Sequence, residues 1–109
     1  MINKYISKEF LRQIPELPGV YKMLDLHGTI IYVGKSKCLR KRVQSYFAGN
    51  HKWEKINKMV SMIRNIEYIV TDTHLEARLL ECELIKEYKP IFNSQMKNDN
   101  KYVYIKISV

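Results

Sequence analysis

The sequence predicts a small domain that mixes α-helices with β-strands, and three observations support this prediction. The first is length, because 109 residues are enough for one domain with its own core. The second is composition, since 46% hydrophobic and 28% charged residues are ordinary values for a globular protein. The third is patterning, in which runs of strand-forming residues alternate with segments that have apolar residues at helical spacing. We therefore expect residues 1–109 to form a single domain.

The first third of the chain predicts a short helix and then a β-hairpin. Residues 2–11 are typical of a leading helix, which the two prolines and the glycine of residues 14–19 interrupt. Two runs of strand formers follow, at residues 20–24 and 29–33. The short loop between them contains Gly28, which is typical of a hairpin turn.

Two amphipathic helices are predicted after the hairpin. The first has Ser36 as a suitable N-cap and extends to about Phe47, with Leu39 and Val43 on its apolar stripe. The second is indicated by four apolar residues at helical spacing. These residues are Trp53, Ile56, Val60 and Ile63.

The C-terminal part predicts a third strand, a third main helix and a final strand. Residues 66–70 are strand formers, and Thr73 with Glu76 has the capping-box spacing that begins a helix. Pro90 prevents that helix from continuing. Residues 102–109 alternate in polarity, so the sequence stops inside a strand pattern. Since natural termini are usually polar and frayed, we expect a fragment of a longer chain.

Charge is the most informative property of the composition. A net charge of +8 and a pI of about 9.5 favour a polyanionic partner, most often nucleic acid, over a basic surface without a function. The positive charge is concentrated in one short segment without acidic residues, which we predict to bind nucleic acid. Its basic residues are Lys35, Lys37, Arg40, Lys41 and Arg42.

Several other classes of protein lack support in the sequence. No apolar run is long enough for a membrane span, and the N-terminus lacks a signal-peptide core. The two cysteines, Cys38 and Cys82, do not make a disulfide framework, so we expect a reducing, cytoplasmic setting. Zinc-ligand spacings and phosphate-binding glycine motifs are missing. We interpret the three scattered histidines as surface or turn residues.

Two placements at helical spacing are candidates for chemistry. Arg42 and Tyr46 are four residues apart, and Lys35 would share their side if the helix extended back to it. Glu81 lies at the margin of the apolar face of the last main helix. A carboxylate there costs free energy unless it is paired or binds a metal. A salt bridge to a nearby lysine and a metal site both remain open.

Two tyrosines on the predicted hairpin belong to a familiar pattern. Tyr21 and Tyr32 are expected to be near neighbours across the hairpin. The tripeptides that contain them are Gly19-Val20-Tyr21 and Tyr32-Val33-Gly34. These resemble the GIY-YIG endonuclease family, with valine in place of isoleucine in both motifs. Further segments resemble the N-terminal nuclease domains of the UvrC family, namely residues 31–37, 39–43, 45–47, 81–86 and 88–93.

This resemblance implies the GIY-YIG fold, a small α/β domain of the α+β type with a three-stranded antiparallel sheet flanked by helices. It implies a metal-dependent DNA endonuclease that makes the 3′-side incision in nucleotide excision repair, on damaged duplex DNA delivered by UvrB. The UvrB-binding region of that family has no counterpart in this sequence. One divalent ion, Mg²⁺ or Mn²⁺, is expected on Glu81. Carried over by position, the family's active-site residues are Tyr21, Tyr32, Lys35, Arg42, Tyr46, Glu81 and Asn93.

The resemblance also implies a role for each of these residues. We predict Tyr32 to be the general base, with Tyr21 as the rival. Lys35, Arg42 and the metal ion are expected to lower the pKa of the tyrosines, because positive charge favours a phenolate. The guanidinium of Arg42 also suits phosphate oxygens. The two residues expected to support the others or to orient the phosphate are Tyr46 and Asn93.

Two alternatives to an excision-repair nuclease stay open. One is a standalone, structure-specific nuclease of the same fold. The other is a DNA-binding module that keeps the fold without catalysis. In each case we expect a monomeric domain that does not associate with membranes.

Overall fold

The computed structural model of the chain describes residues 3–99, with the side chains of 97–99 left out of the description. The order of helices and strands is α1, β1, β2, α2, α3, β3, α4, α5. Their bounds are α1 Lys8–Arg12, β1 Gly19–Leu24, β2 Ile30–Ser36, α2 Leu39–Tyr46, α3 Glu54–Met62, β3 Asn65–Val70, α4 His74–Tyr88 and α5 Ile91–Asp99. Within these residues, no helix is long and apolar enough to cross a membrane.

The three strands form one antiparallel sheet in the order β2-β1-β3. The central strand β1 therefore pairs with both neighbours, and Tyr21 lies opposite Gly34 on one side and Tyr68 on the other. This arrangement confirms the predicted fold class and the predicted hairpin. It places the strands that carry Tyr21 and Tyr32 side by side.

Each face of the sheet is covered by helices because side chains alternate along β1. Tyr21 and Met23 point into the larger core, which α1, α2, α3 and α5 help to build. Val20, with its partner-strand neighbour Val33, packs instead against Ala77 of α4. The sheet is therefore held between α4 and the remaining helices. The fully buried side chains of the larger core include Ile14, Met23, Leu39, Val43, Met59 and Ile63.

The start of the chain differs from the prediction of a helix over residues 2–11. The helix begins only at Lys8, after Ser7, whose Oγ accepts a hydrogen bond from the backbone N–H of Phe10. Upstream, the side-chain amide of buried Asn3 donates to the carbonyls of Val60 and Ile63, at 2.7 and 2.8 Å. These bonds hold the leading segment against the end of α3 in a non-helical conformation.

The predicted cap of α2 is also wrong. Ser36 is the last residue of β2, and its Oγ accepts from the N–H of Cys38 and donates to the Cys38 carbonyl. These two bonds turn the chain between strand and helix, and Cys38 itself is the N-cap. A serine at the start of a turn and a serine at a helix cap look the same in sequence, since both use the hydroxyl to bond nearby backbone.

The C-terminal helices agree with the prediction only in part. Thr73 caps α4 as predicted, since its Oγ1 accepts from the N–H of Glu76 at 3.1 Å. Helix α4 ends before Lys89, whose φ of 46° is left-handed. However, Pro90 also precedes a fifth helix that the sequence analysis missed, because proline ends one helix but is accepted at the start of the next. The predicted strand over residues 102–109 lies outside the described residues.

Candidate functional site

The sheet and α2 bring three tyrosines together into one cluster. Tyr21 comes from β1, Tyr32 from β2 and Tyr46 from α2, and their ring centroids lie 5.9–6.4 Å apart. The hydroxyls of Tyr21 and Tyr46 share a hydrogen bond of 2.8 Å. Tyr21 is 1% exposed and Tyr46 3% exposed, whereas Tyr32 is only partly buried. Tyr32 is therefore the phenol of the cluster with access to solvent.

Gly34 makes room for this cluster. It lies opposite Tyr21 across the hairpin, and a Cβ at position 34 would collide with the hydroxyl and ring carbons of Tyr21. The phenol of Tyr21 therefore occupies the space that a side chain at position 34 of β2 would fill. Gly19 is needed for a different contact, since a Cβ there would collide with the carbonyl oxygen of Ile69 and with Leu39. Both motif glycines are thus required by close packing.

Arg42 places a positive charge beside the cluster. Its guanidinium carbon lies 5.2 Å from the centre of the Tyr46 ring. Arg42 lowers the pKa of all three tyrosines, because a nearby cation stabilises a phenolate. The predicted pairing of Arg42 with Tyr46 along α2 is therefore present in the structure.

Burial nevertheless outweighs this positive charge. It is the largest cause of a pKa raised to about 12 at Tyr21, followed by the neighbouring Tyr32. Burial also raises the pKa of Tyr32 and of Tyr46, in each case with a tyrosine neighbour as the second cause. The predicted lowering by Arg42 is therefore present, but the net pKa of each tyrosine is raised, because desolvation disfavours a charged phenolate.

Glu81 is paired with Lys35 across the interface between α4 and β2. The Nζ of Lys35 lies 3.7 Å from a carboxylate oxygen of Glu81, whose side chain is 18% exposed. The predicted shared stripe of Lys35 with Arg42 and Tyr46 is wrong, because Lys35 belongs to a strand and not to an extended α2. Burial and Tyr46 are the main causes of the raised pKa of Tyr32, and the negative charge of Glu81 adds to them.

The donor set near Glu81 limits what kind of metal ion it can hold. Among the side chains that the structure describes, those of residues 3–96, no group of three or more His, Cys, Asp or Glu could hold a metal ion. A single carboxylate fits a hard cation such as Mg²⁺, which keeps several waters and completes its shell with phosphate oxygens.

Asn93 of α5 binds the outer edge of β2. Its Oδ1 accepts from the backbone N–H of Val33 at 2.8 Å, and its Nδ2 donates to the Val33 carbonyl at 2.9 Å. The side-chain amide thus pairs with Val33 as a residue of a neighbouring strand would. Val33 lies between Tyr32 and Gly34, so Asn93 fixes the segment that carries the site.

The predicted DNA-binding segment is divided by the fold. Lys37, Lys41 and Arg42 are exposed at the surface. Arg40 instead turns back onto the preceding loop, where its Nε donates to the Ile14 carbonyl at 2.7 Å and its guanidinium lies 3.6 Å from Glu16. Arg40 therefore has a structural contact that competes with any contact to phosphate.

His51 is a neighbour of the site that the sequence analysis interpreted only as a surface or turn residue. Its Nε2 lies 3.0 Å from the carbonyl oxygen of Tyr46, and the two rings are 6.2 Å apart. Asn57 holds the backbone of His51, accepting from its N–H at 2.9 Å and donating to its carbonyl at 2.8 Å. No spacing in the sequence marks this contact, because it forms when the loop after α2 folds back.

Comparison with known proteins gives consistent results for sequence and structure. Residues 17–94 match the model of the UvrC-like GIY-YIG domain family. The chain is 53% identical over 104 residues to UvrABC system protein C of Caldanaerobacter subterraneus subsp. tengcongensis, and 50% identical over 103 residues to that of Lachnospira eligens. Each alignment covers 94% of this chain and 17% of the relative, so the chain spans about a sixth of the length of these relatives.

A solved structure from Thermotoga maritima has the same fold. It is the GIY-YIG N-terminal endonuclease domain of UvrC bound to magnesium, its catalytic divalent cation. The match has a TM-score of 0.72 and 36% sequence identity, and covers 85% of this chain and 99% of that domain. An asparagine-to-alanine variant of that domain, also bound to its catalytic cation, matches with a TM-score of 0.71 and 36% identity, over 84% of this chain and 97% of the variant.

Proposed function

Because the chain belongs to the UvrC-like GIY-YIG domain family, we propose that it is a metal-dependent DNA endonuclease domain that makes the 3′-side incision in nucleotide excision repair. One observation carries the proposal. Arg42 of α2 lies 5.2 Å from the ring of Tyr46, which packs against the solvent-accessible phenol of Tyr32, and Glu81 of α4 is paired with Lys35 on the strand of Tyr32. The two strands and two helices thereby bring cations, a carboxylate and an accessible phenol to the same side of a protein with a net charge of +8.

Tyr32 is proposed to orient the attacking water and accept its proton. It is favoured over Tyr21, which is 1% exposed and whose hydroxyl is bonded to Tyr46. Burial raises the pKa of Tyr32, so its phenolate is harder to form but is a stronger base once formed. Tyr46 is proposed to hold the cluster in place.

The charged residues are proposed to act on the phosphate. Arg42 presents a planar guanidinium that can bond two phosphate oxygens and oppose the charge that develops in the transition state. Lys35 adds a second cation and holds the Glu81 carboxylate in position. A divalent cation on Glu81, Mg²⁺ or Mn²⁺, would supply positive charge that stabilises the leaving 3′ oxygen. Asn93 keeps the strand of Tyr32 in register.

The proposed substrate is damaged duplex DNA. We propose that UvrB delivers it to the whole protein, of which this chain represents about a sixth of the length of its relatives. The exposed side chains of Lys37, Lys41 and Arg42 are proposed to contact the phosphate backbone.

The decisive test is Glu81→Gln, with Glu83→Gln on the exposed face of the same helix as the matched control. Cleavage of a lesion-containing duplex by the full-length protein with UvrB and Mg²⁺ would be compared with DNA binding. We expect Glu81→Gln to reduce cleavage at least about 100-fold, because several kcal/mol of charge stabilisation is lost. DNA binding should remain, and Glu83→Gln should behave like the wild type. Wild-type cleavage by Glu81→Gln would refute the metal assignment, and binding without cleavage by the wild-type protein would favour the non-catalytic module.

A further inference from the structure

His51 contacts the tyrosine cluster but has no part in the proposed chemistry. Its Nε2 lies 3.0 Å from the backbone carbonyl oxygen of Tyr46, and the two rings are 6.2 Å apart. A carbonyl oxygen can only accept a hydrogen bond, so Nε2 must carry the proton. His51 is therefore a hydrogen-bond donor to the residue that ends α2.

The place of Tyr46 in α2 explains why this donor matters. The last four carbonyls of a helix have no partner within the helix, and a histidine side chain nearby can supply one. The carbonyl of Gln44 accepts the backbone N–H of Phe47, whereas that of Tyr46 accepts the side chain of His51. Without His51, the final turn of α2 loses a bond that holds the backbone of Tyr46.

The loop that carries His51 is itself anchored in the core. The side chain of Asn57 on α3 accepts from the His51 N–H at 2.9 Å and donates to the His51 carbonyl at 2.8 Å. Helix α3 is fixed in turn by Met59 and Val60, which are buried in the larger core. His51 thus connects the end of α2 to a helix that the core holds firmly.

The side chain of Tyr46 belongs to the candidate site. Its hydroxyl shares the 2.8 Å hydrogen bond with that of Tyr21, and its ring centroid lies 6.4 Å from that of Tyr32. The guanidinium of Arg42, one turn earlier in α2, lies 5.2 Å from the centre of the same ring. Because a phenol ring is rigid, a shift of the Tyr46 backbone would disturb all three of these contacts.

We propose that His51 is a positioning residue for the incision: its bond to the Tyr46 carbonyl holds Tyr46 where the cluster needs it. The proposal rests on the proposed function, because it assigns the cluster to catalysis. It assigns to His51 no contact with DNA and no proton transfer.

The first test observes the cluster directly and needs no nuclease activity. In NMR spectra of the 109-residue chain with labelled tyrosine, Tyr21→Phe identifies the ring signals of Tyr21. Loss of the His51 ring alters the signals of its neighbour Tyr46 by itself, so the Tyr21 signals decide. We expect His51→Ala and His51→Phe to shift the Tyr21 signals, and His51→Gln to restore them, because a glutamine amide can donate to the same carbonyl. The matched control is His27→Ala, at an exposed histidine of the hairpin turn, which should change nothing.

The second test measures incision of a lesion-containing duplex by the full-length protein with UvrB and Mg²⁺, well below the Tm of each variant. We expect His51→Ala to lower the single-turnover rate constant about 10-fold at saturating protein, because small misplacements of groups in a site slow the reaction. The affinity for DNA should not change, and His51→Gln should recover most of the rate.

The outcomes separate this proposal from the proposed function. Unchanged Tyr21 signals in His51→Ala and His51→Phe would overturn the proposal and leave the nuclease function intact, and so would wild-type cleavage by His51→Ala. Equal loss of cleavage in His51→Ala and His51→Gln would show that the hydrogen bond is not the cause. Absence of cleavage by the wild-type protein would instead overturn the proposed function, and the role of His51 in incision with it.

Discussion

Replacing Gly34 by alanine should destabilise the domain, because the new methyl group would enter the space of the Tyr21 phenol. The backbone of Gly34 cannot retreat easily, since it is paired with β1 at Tyr21. The phenol cannot retreat either, because it is fully buried and hydrogen-bonded to Tyr46. One of these contacts must therefore break.

The expected cost follows from three contributions. Overpacking a core costs about 1–3 kcal/mol, and leaving a buried hydroxyl without its partner costs about 1–3 kcal/mol more. Alanine also reduces the flexibility of the unfolded chain, which stabilises the folded state by about 0.4–1 kcal/mol. This gain applies at position 34 because φ at Gly34 is not positive. The net loss is about 1–5 kcal/mol, which corresponds to a fall in Tm of roughly 4–40 °C for a domain of this size.

The assay is denaturant unfolding of a double-mutant cycle that combines Gly34→Ala with Tyr21→Leu. Once the phenol is absent, Gly34→Ala should cost less than about 1 kcal/mol, so the two changes should be coupled by about 1–3 kcal/mol. Gly28→Ala is the matched control, since its cost arises from a positive φ in open space and should not depend on Tyr21. Additive effects of Gly34→Ala and Tyr21→Leu would refute the packing argument.

Two further predictions concern the same strands. Asn93→Ala should lower the free energy of unfolding by about 1–3 kcal/mol, because both backbone groups of Val33 lose their partners. Ser94→Ala, at an exposed neighbouring residue, is the control. Equal effects of the two substitutions would contradict the prediction. The raised pKa of Tyr21 predicts alkaline destabilisation. Since an unfolded tyrosine ionises near pH 10 and Tyr21 only at about 12, stability is complete below about pH 10 and about 2–3 kcal/mol is lost by about pH 12. Chemical denaturation across this range should show the loss, and Tyr21→Phe should reduce it; a flat profile would count against the burial argument.

The fold could be predicted where local pattern and tertiary structure agree. The hairpin, the third strand and the capped start of α4 depend on residues that are close in sequence, such as Thr73 and Glu76. Errors arose where a distant partner decides the outcome. Asn3 holds the leading segment out of a helix through carbonyls about sixty residues away, and no local signal announces that contact.

The candidate site, too, could be predicted only where contacts depend on residues that are close in sequence. The nearness of Tyr21 and Tyr32 could be predicted from the hairpin, and the pairing of Arg42 with Tyr46 from helical spacing. The ionisation of the tyrosines could not be predicted, because it depends on how much solvent the folded helices remove. The contact of His51 with Tyr46 depends on the path of a loop, which periodicity does not describe.

The amide of Asn93 has a consequence for how the domain opens. The outer backbone groups of an edge strand normally have no partner within the protein, so only one neighbouring strand holds it. Here the outer groups of Val33 are bonded to α5, so β2 and α5 must separate before either can open. The hairpin and the last described helix therefore form one cooperative folding unit, although about sixty residues separate Val33 from Asn93. A polypeptide shortened to end before residue 91 would lose not only a helix but the integrity of the strand that carries Tyr32.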